Sequence, residues 1–138
     1  MKRRQKILFL CTGNSCRSQM AEGWARHLHS ERIEAFSAGL EAHGLNPLAV
    51  KAMKMEGVDI SRHHSKTVEQ LADKDFDQVI TVCGHADENC PLFGGGTEII
   101  HHGFDDPPQL AEKFADEKDK LACYREVCRQ LRKFIKDL

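Results

Sequence analysis

Ile7-Leu8-Phe9-Leu10-Cys11-Thr12-Gly13-Asn14-Ser15-Cys16-Arg17-Ser18 is the stretch that decides the fold. It opens with a short apolar run, the signature of a buried strand. After Ser18, Gln19-Met20-Ala21-Glu22-Gly23-Trp24-Ala25-Arg26-His27-Leu28 has helical composition and spacing. The loop between them leaves backbone N–H groups unpaired at a helix N-terminus, all aimed at one spot. Gly13 allows a sharp turn, and Arg17 can grip a tetrahedral oxyanion through two parallel hydrogen bonds. Helix dipole and guanidinium together favour a Cys11 thiolate near neutral pH. Nucleophile and anion cradle thus coincide. Cys11 and Arg17 are candidate catalytic residues, and Thr12, Gly13, Asn14, Ser15, Cys16, Arg17 and Ser18 are candidate substrate-binding residues. Ser18 can donate to the Cys11 sulfur, and Asn14 can fix the loop backbone through its side chain.

The rest of the chain continues the strand–helix alternation. Strands are expected near residues 6–11, 33–37, 76–82 and 97–101, and helices near 16–30, 46–56, 66–72 and 117–136. On the last helix Leu121, Val127, Leu131, Phe134 and Ile135 lie mostly on one face. This pattern predicts an α/β fold: a four-stranded parallel sheet flanked by helices on both faces, built as one domain over residues 1–138. Ligands in such sheets sit at the carboxyl ends of strands, where Cys11 and Cys83 both emerge. With 138 residues, 41% hydrophobic and 30% charged, the composition suits one compact soluble domain. A formal net charge of −1 points to neither nucleic acid nor membrane as a general partner. Lys2-Arg3-Arg4 reads as a solvated lead-in. The apolar run behind it is too short for a signal-peptide core or a membrane span, so a cytoplasmic location is expected.

Six cysteines in such a chain suit catalytic or redox use better than a disulfide framework. Cys83-Gly84-His85-Ala86-Asp87-Glu88-Asn89-Cys90-Pro91 has three readings on its own. It is a loop with two unpaired thiols, a metal site using His85, or a redox pair. Cys-x6-Cys is not a usual zinc spacing. A disulfide needs Cα atoms within about 7 Å, so pairing these thiols can require the segment to rearrange, and Gly94-Gly95-Gly96 lowers its resistance. The adjacent histidines His63-His64 and His101-His102 would diverge on a strand, which argues against zinc. Trp24, Cys123 and Cys128 are read as core residues, and Cys16 as a small packing residue.

Cys11 to Ser18, in its strand–loop–helix context, resembles the active-site loop of the low-molecular-weight protein tyrosine phosphatase superfamily. Thr81 to Pro91 resembles the corresponding segment of the thioredoxin-coupled arsenate reductases that share this fold. So do Gly103-Phe104-Asp105-Asp106-Pro107, Ser37-Ala38-Gly39 and Asp59-Ile60-Ser61. The resemblance implies that the Cys11 thiolate attacks arsenic while Asp106 protonates the departing oxygen, which calls for a raised carboxyl pKa. Asp105 is the near neighbour, and the family's Asp-Pro order selects Asp106. Arg17 and the loop amides would stabilise the oxyanion. Cys83 would then attack the Cys11 sulfur and expel arsenite, Cys90 would attack Cys83, and thioredoxin would reduce the resulting disulfide. Phosphate and sulfate would compete for the cradle. No cofactor and no catalytic metal are implied.

Several relatives bind potassium beside the loop through residues matching Asn14, Ser18 and Glu22, plus an aspartate. Here that aspartate position holds Lys66. Either its ammonium reaches Glu22 in place of the ion, or the side chain points to solvent at a helix start. The alternative function is a phosphotyrosine or aryl-phosphate phosphatase, which would leave Cys83 and Cys90 idle. Pro108-Gln109-Leu110 lacks the aromatic residue such phosphatases carry after Asp-Pro. A thiol-based sensor is disfavoured by the absence of a basic DNA-reading helix.

Overall fold

The computed structural model describes residues 3–138. Four strands, β1 (Gln5–Cys11), β2 (Ile33–Gly39), β3 (Gln78–Thr81) and β4 (Glu98–His101), form one parallel sheet in the order β2-β1-β3-β4. Five helices accompany it: α1 (Arg17–His29), α2 (Pro47–Met55), α3 (Gly84–Glu88), α4 (Pro107–Ala111) and α5 (Glu117–Lys136). Ile7 to Leu10 are buried because β1 is central and flanked by strands on both sides, as a parallel interior strand requires.

Strand alternation sorts the two faces. Ile33, Ala35 and Ser37 of β2 turn towards α1, where the Ser37 hydroxyl donates to Glu22 at 2.6 Å. Phe36 turns the other way and packs edge-on to Phe76, which meets Phe93 in the same manner. The long helices α1, α2 and α5 pack on one another. Trp24 is 2% exposed between α1 and α5 and donates its indole N–H to the Cys128 carbonyl at 3.0 Å. Asn46 caps α2 by accepting from Leu48 N and Ala49 N ahead of Pro47, and Asp116 caps α5 by accepting from Lys118 N.

Several expectations change. The helix expected near 66–72 is only a 3-10 turn, Val68–Gln70, closed by a Thr67–Gln70 capping box. The segment between Cys83 and Cys90, where no helix is expected, contains α3, and α4 follows Asp106. Helices of five residues are too short to display a 3.6 period. Cys128 is buried, but Cys123 is partly exposed, with its Sγ 3.6 Å from the Asp119 carbonyl, so core packing holds for Cys128 alone. His63 and His64 lie outside any strand. Lys2 lies outside the described residues, whereas Arg3 forms a forked ion pair with Asp77. Among the described residues no helix is long and apolar enough to cross a membrane.

The chain winds from β1 outward to β2 through α1, then crosses back to β3 on the other side of β1. The sheet therefore has its switch point between β1 and β3, whose ends are in register at Leu10 and Thr81. Cys11 closes β1, and Cys83 lies just past β3.

Candidate active site

At that switch point opens a cleft of about 370 Å³, lined by Cys11, Thr12, Gly13, Ser15, Cys16, Arg17, His43, Asp106 and Pro108. The residues of the loop fall into two groups. Those just named face the cleft, whereas Asn14 and Ser18 are fully buried behind it. At these two positions the side chains hold the loop from the rear, so a contact with the substrate would come from their backbone amides. Ser18 Oγ lies 2.8 Å from Cys11 Sγ. Asn14 Nδ2 donates to Ser18 Oγ at 2.8 Å and to Ser37 Oγ at 3.0 Å, and Gln19 Nε2 donates to Asn14 Oδ1 at 2.9 Å.

The turn itself is made differently from expectation. Asn14, at φ 47°, takes the left-handed conformation, which asparagine tolerates better than other side chains. Gly13 leaves room for an exposed ring: a Cβ there would stand 2.3 Å from His43 Nδ1, so the imidazole would have to move. Gly39 is the stricter requirement, since a Cβ would meet backbone, 2.7 Å from the Thr12 carbonyl and 2.8 Å from Asn14 N. Cys16 occupies the N-cap of α1 without a side-chain capping bond, so the first amides of the helix keep their hydrogens free. Burial pushes the Cys16 thiol well above its ordinary value, with the Cys11 sulfur reinforcing the shift.

Arg17 spans the cleft. Its Nη1 donates to the Phe104 carbonyl at 2.8 Å and its Nη2 lies 3.6 Å from Asp106 Oδ1. One arm is thus committed to the acidic loop, which ties the Asp106 segment to the cradle. Asp106 is the N-cap of α4 but makes no capping bond, leaving its carboxyl free to face the cleft, while Asp105 is exposed.

Cys83 is 4% exposed and meets the loop directly, its Sγ 3.4 Å from Thr12 Oγ1. It also caps α3, accepting from Ala86 N at 3.4 Å. Cys90 lies past the far end of α3 and is partly buried; burial, reinforced by Asp87, pushes its thiol up. All six cysteines are free thiols. Seven residues at a helical rise separate Cys83 from Cys90 by about 10 Å, beyond the roughly 7 Å that a disulfide spans.

His43 went unnoticed in the sequence. Its ring lies over Gly13 at the cleft and its Nε2 is 2.6 Å from Glu41 Oε2. The usable signal was topological: the loop after β2 leaves the same sheet edge as the loop after β1. Ser37 and Gln19, which hold Asn14, carried no signal of their own.

Lys66 turns inward. Its Nζ is 3.1 Å from the Ser37 carbonyl and 3.4 Å from Asn14 Oδ1, which rules out the solvent-pointing reading. Glu22 is held instead by Ser37 Oγ and by Arg26 at 3.0 Å. An ammonium therefore occupies the oxygen cluster where a monovalent cation would need acceptors, and the residues do not fit potassium.

The model of the low molecular weight phosphotyrosine protein phosphatase family matches residues 6–138. An arsenate reductase of Halalkalibacterium halodurans is 48% identical over 130 residues, covering 94% of this chain and 91% of that protein. A solved arsenate reductase in the oxidized state superposes with a TM-score of 0.80 at 30% identity, over 97% of this chain and 95% of its own. Another, in the phosphate-binding state, gives 0.71 at 31% identity, over 96% and 95%. This chain belongs to the low molecular weight phosphotyrosine protein phosphatase family, and the curated relatives it resembles there are arsenate reductases.

Proposed function

We propose that this chain reduces arsenate to arsenite through a relay of Cys11, Cys83 and Cys90, with a thioredoxin-type dithiol as the final reductant. The observation that carries the reading is the contact of Cys83 with Thr12, which sets a second buried thiol against the oxyanion loop. A phosphatase has no use for it.

In the first step the Cys11 thiolate attacks arsenic, and one arsenate hydroxyl leaves as water after taking a proton from Asp106. The free amides at the start of α1 and the Arg17 guanidinium hold the remaining oxygens as their charge develops. Ser18 donates to the Cys11 sulfur from behind. Cys83 then attacks the Cys11 sulfur. A sulfur–sulfur bond forms, the sulfur–arsenic bond breaks, and its electron pair leaves with arsenic as arsenite. Cys90 attacks the Cys83 sulfur and releases Cys11 as thiolate. The balance is arsenate plus one dithiol giving arsenite, water and one disulfide.

The separation of Cys83 and Cys90 across α3 means that the last internal step unwinds this helix. Unwinding also carries the oxidised pair away from the cleft, where a protein reductant can reach it. A relay of this kind needs a reducing thiol pool, so the cytoplasm is the compartment it suits. The same cradle and acid would hydrolyse aryl phosphates slowly. Pro108 stands at the cleft where a phosphatase would place an aromatic ring, and no observation favours phosphatase as the main activity.

The test compares arsenite production with thioredoxin, thioredoxin reductase and NADPH against glutathione plus glutaredoxin. Cys83→Ser and Cys90→Ser are expected to stop multiple turnover in the thioredoxin system and to spare aryl-phosphate hydrolysis. Wild-type arsenate turnover by either variant would refute the relay.

A further inference from the structure

Behind the oxyanion loop, opposite the cleft, lies a second cavity of about 230 Å³ where Glu22, Ser37, His63 and Lys66 meet. The Asn14 amide contacts Ser37 and Lys66 of its wall, and its orientation is fixed from both ends. Asn14 Oδ1 faces three donors: Gln19 Nε2 at 2.9 Å, the Lys66 backbone N–H at 2.9 Å and Lys66 Nζ at 3.4 Å. Asn14 Nδ2 faces the Ser18 and Ser37 hydroxyls. Each hydroxyl accepts from this amide and keeps its own hydrogen to give: Ser37 donates to Glu22 at 2.6 Å, and Ser18, 2.8 Å from the Cys11 sulfur, is free to donate to a thiolate there. Reversing the amide would set its NH2 group against three donors, so the proton directions form one set.

We infer that Lys66 is a positioning residue for Cys11. Its tethered ammonium adds a charged donor to the two neutral ones on Asn14 Oδ1 and strengthens the amide orientation that turns the Ser18 hydroxyl towards the Cys11 sulfur, without a dissociable cation. The inference rests on Cys11 being the nucleophile of the proposed reaction. It accounts for the half-buried charge: burial pushes the Lys66 pKa down, and Glu22 opposes that shift. The other charged groups facing the ammonium are Arg26 of α1 and His63 of the preceding loop. Arg26 and Ser37 already hold Glu22, so the distinct acceptors of Lys66 are Asn14 Oδ1 and the Ser37 carbonyl. The oxygens that would otherwise ligate a monovalent ion are the ones it occupies.

The test reads Cys11 directly, without arsenate. Lys66→Met keeps most of the apolar stem and removes the charge; Lys66→Ala opens the site to solutes. Iodoacetamide alkylation of Cys11 is followed by peptide mass mapping at pH 7 and constant ionic strength, in choline, potassium or methylammonium chloride. Wild type is expected to react at one rate in all three salts. Both variants are expected to lose about tenfold in choline, the scale of a lost charge-assisted hydrogen bond felt at the nucleophile. Lys66→Ala is expected to recover most of that loss in potassium or methylammonium. Alkylation of the variants at the wild-type rate in choline would overturn the inference. So would a loss in Lys66→Ala that no small cation restores, or a wild type accelerated by potassium. Because alkylation needs no arsenate and no reductant, a failed relay leaves this readout intact.

Discussion

Gly84→Ala should slow formation of the Cys83–Cys90 disulfide by about two- to fivefold while leaving the cleft unchanged. Gly84 is the first residue of α3, and a Cβ added there would meet nothing within 4 Å, so the variant introduces no clash. Alanine is favoured over glycine in a helix by about 0.5–1 kcal/mol, and the unwound chain also loses entropy. If the last internal step draws on an unwound α3, that energy lowers the competent population by about two- to fivefold. Few bonds oppose unwinding: Asp87 N to the Cys83 carbonyl at 3.1 Å, Asn89 N and Nδ2 to the His85 carbonyl at 3.1 and 2.9 Å, the Cys83 sulfur on Ala86 N at 3.4 Å, and the Thr81–Asp87 side-chain pair at 3.2 Å, beside the bonds inside the single turn. A perturbation of this size is therefore a measurable fraction of the total. The assay is a single-turnover mix with arsenate, quenched by alkylation over a time course, with disulfides mapped by mass spectrometry. Aryl-phosphate hydrolysis serves as the control for an intact cleft. An unchanged or faster rate of Cys83–Cys90 closure would refute unwinding as part of the relay.

Two further outcomes are expected. Cys11→Ser should abolish both arsenate reduction and aryl-phosphate hydrolysis with an unaltered circular dichroism spectrum; turnover of either substrate would remove Cys11 from its proposed role. Glu56, hydrogen-bonded to Arg129 and Arg125, has its carboxyl pKa held below the ordinary 4.5, so its contribution is present above that value and is lost as pH falls through the lower folded value. Glu56→Gln should thus cost about 1 kcal/mol, or about 2–4 °C in melting temperature at pH 7, with the gap closing in acid; a gap that persists at pH 3 would show the loss is not electrostatic.

The sequence was most legible where one physical requirement governs several neighbouring residues. The apolar run ending at Cys11, followed by a helical segment, dictated a strand–loop–helix cradle, and Trp24 and the apolar face of α5 fell where their periodicity placed them. It was least legible where the chain is held by tertiary partners. The turn at Asn14 depends on Ser37, Gln19 and Lys66, each far along the chain or carrying no local signature. Gly13 was assigned a turn conformation, but its small size serves the His43 ring, a contact invisible before β2 is laid beside β1. The five residues of α3 could not announce themselves by periodicity, yet this helix sets the separation of Cys83 and Cys90, the two thiols of the proposed relay.

Microenvironment also accounts for which thiols enter the proposed relay, and in what order. Cys16 neighbours Cys11 in the loop, but burial pushes its thiol so far up that it stays protonated and inert. Cys83 touches Thr12 and receives the Ala86 amide hydrogen, so it lies against the oxyanion loop and is supplied with a donor for negative charge. In the resting fold Cys90 is held back twice: α3 keeps it out of reach of Cys83, and partial burial with Asp87 nearby disfavours its thiolate. In the proposed relay, attack by Cys83 on the Cys11 sulfur would take the sulfur that caps α3 from its place on Ala86 N and so would loosen the helix at its first turn. That loosening would shorten the gap to Cys90 and take it out of its partly buried position. On the proposed relay the second exchange then becomes available only after the first, which would keep the pair reduced until arsenite has left.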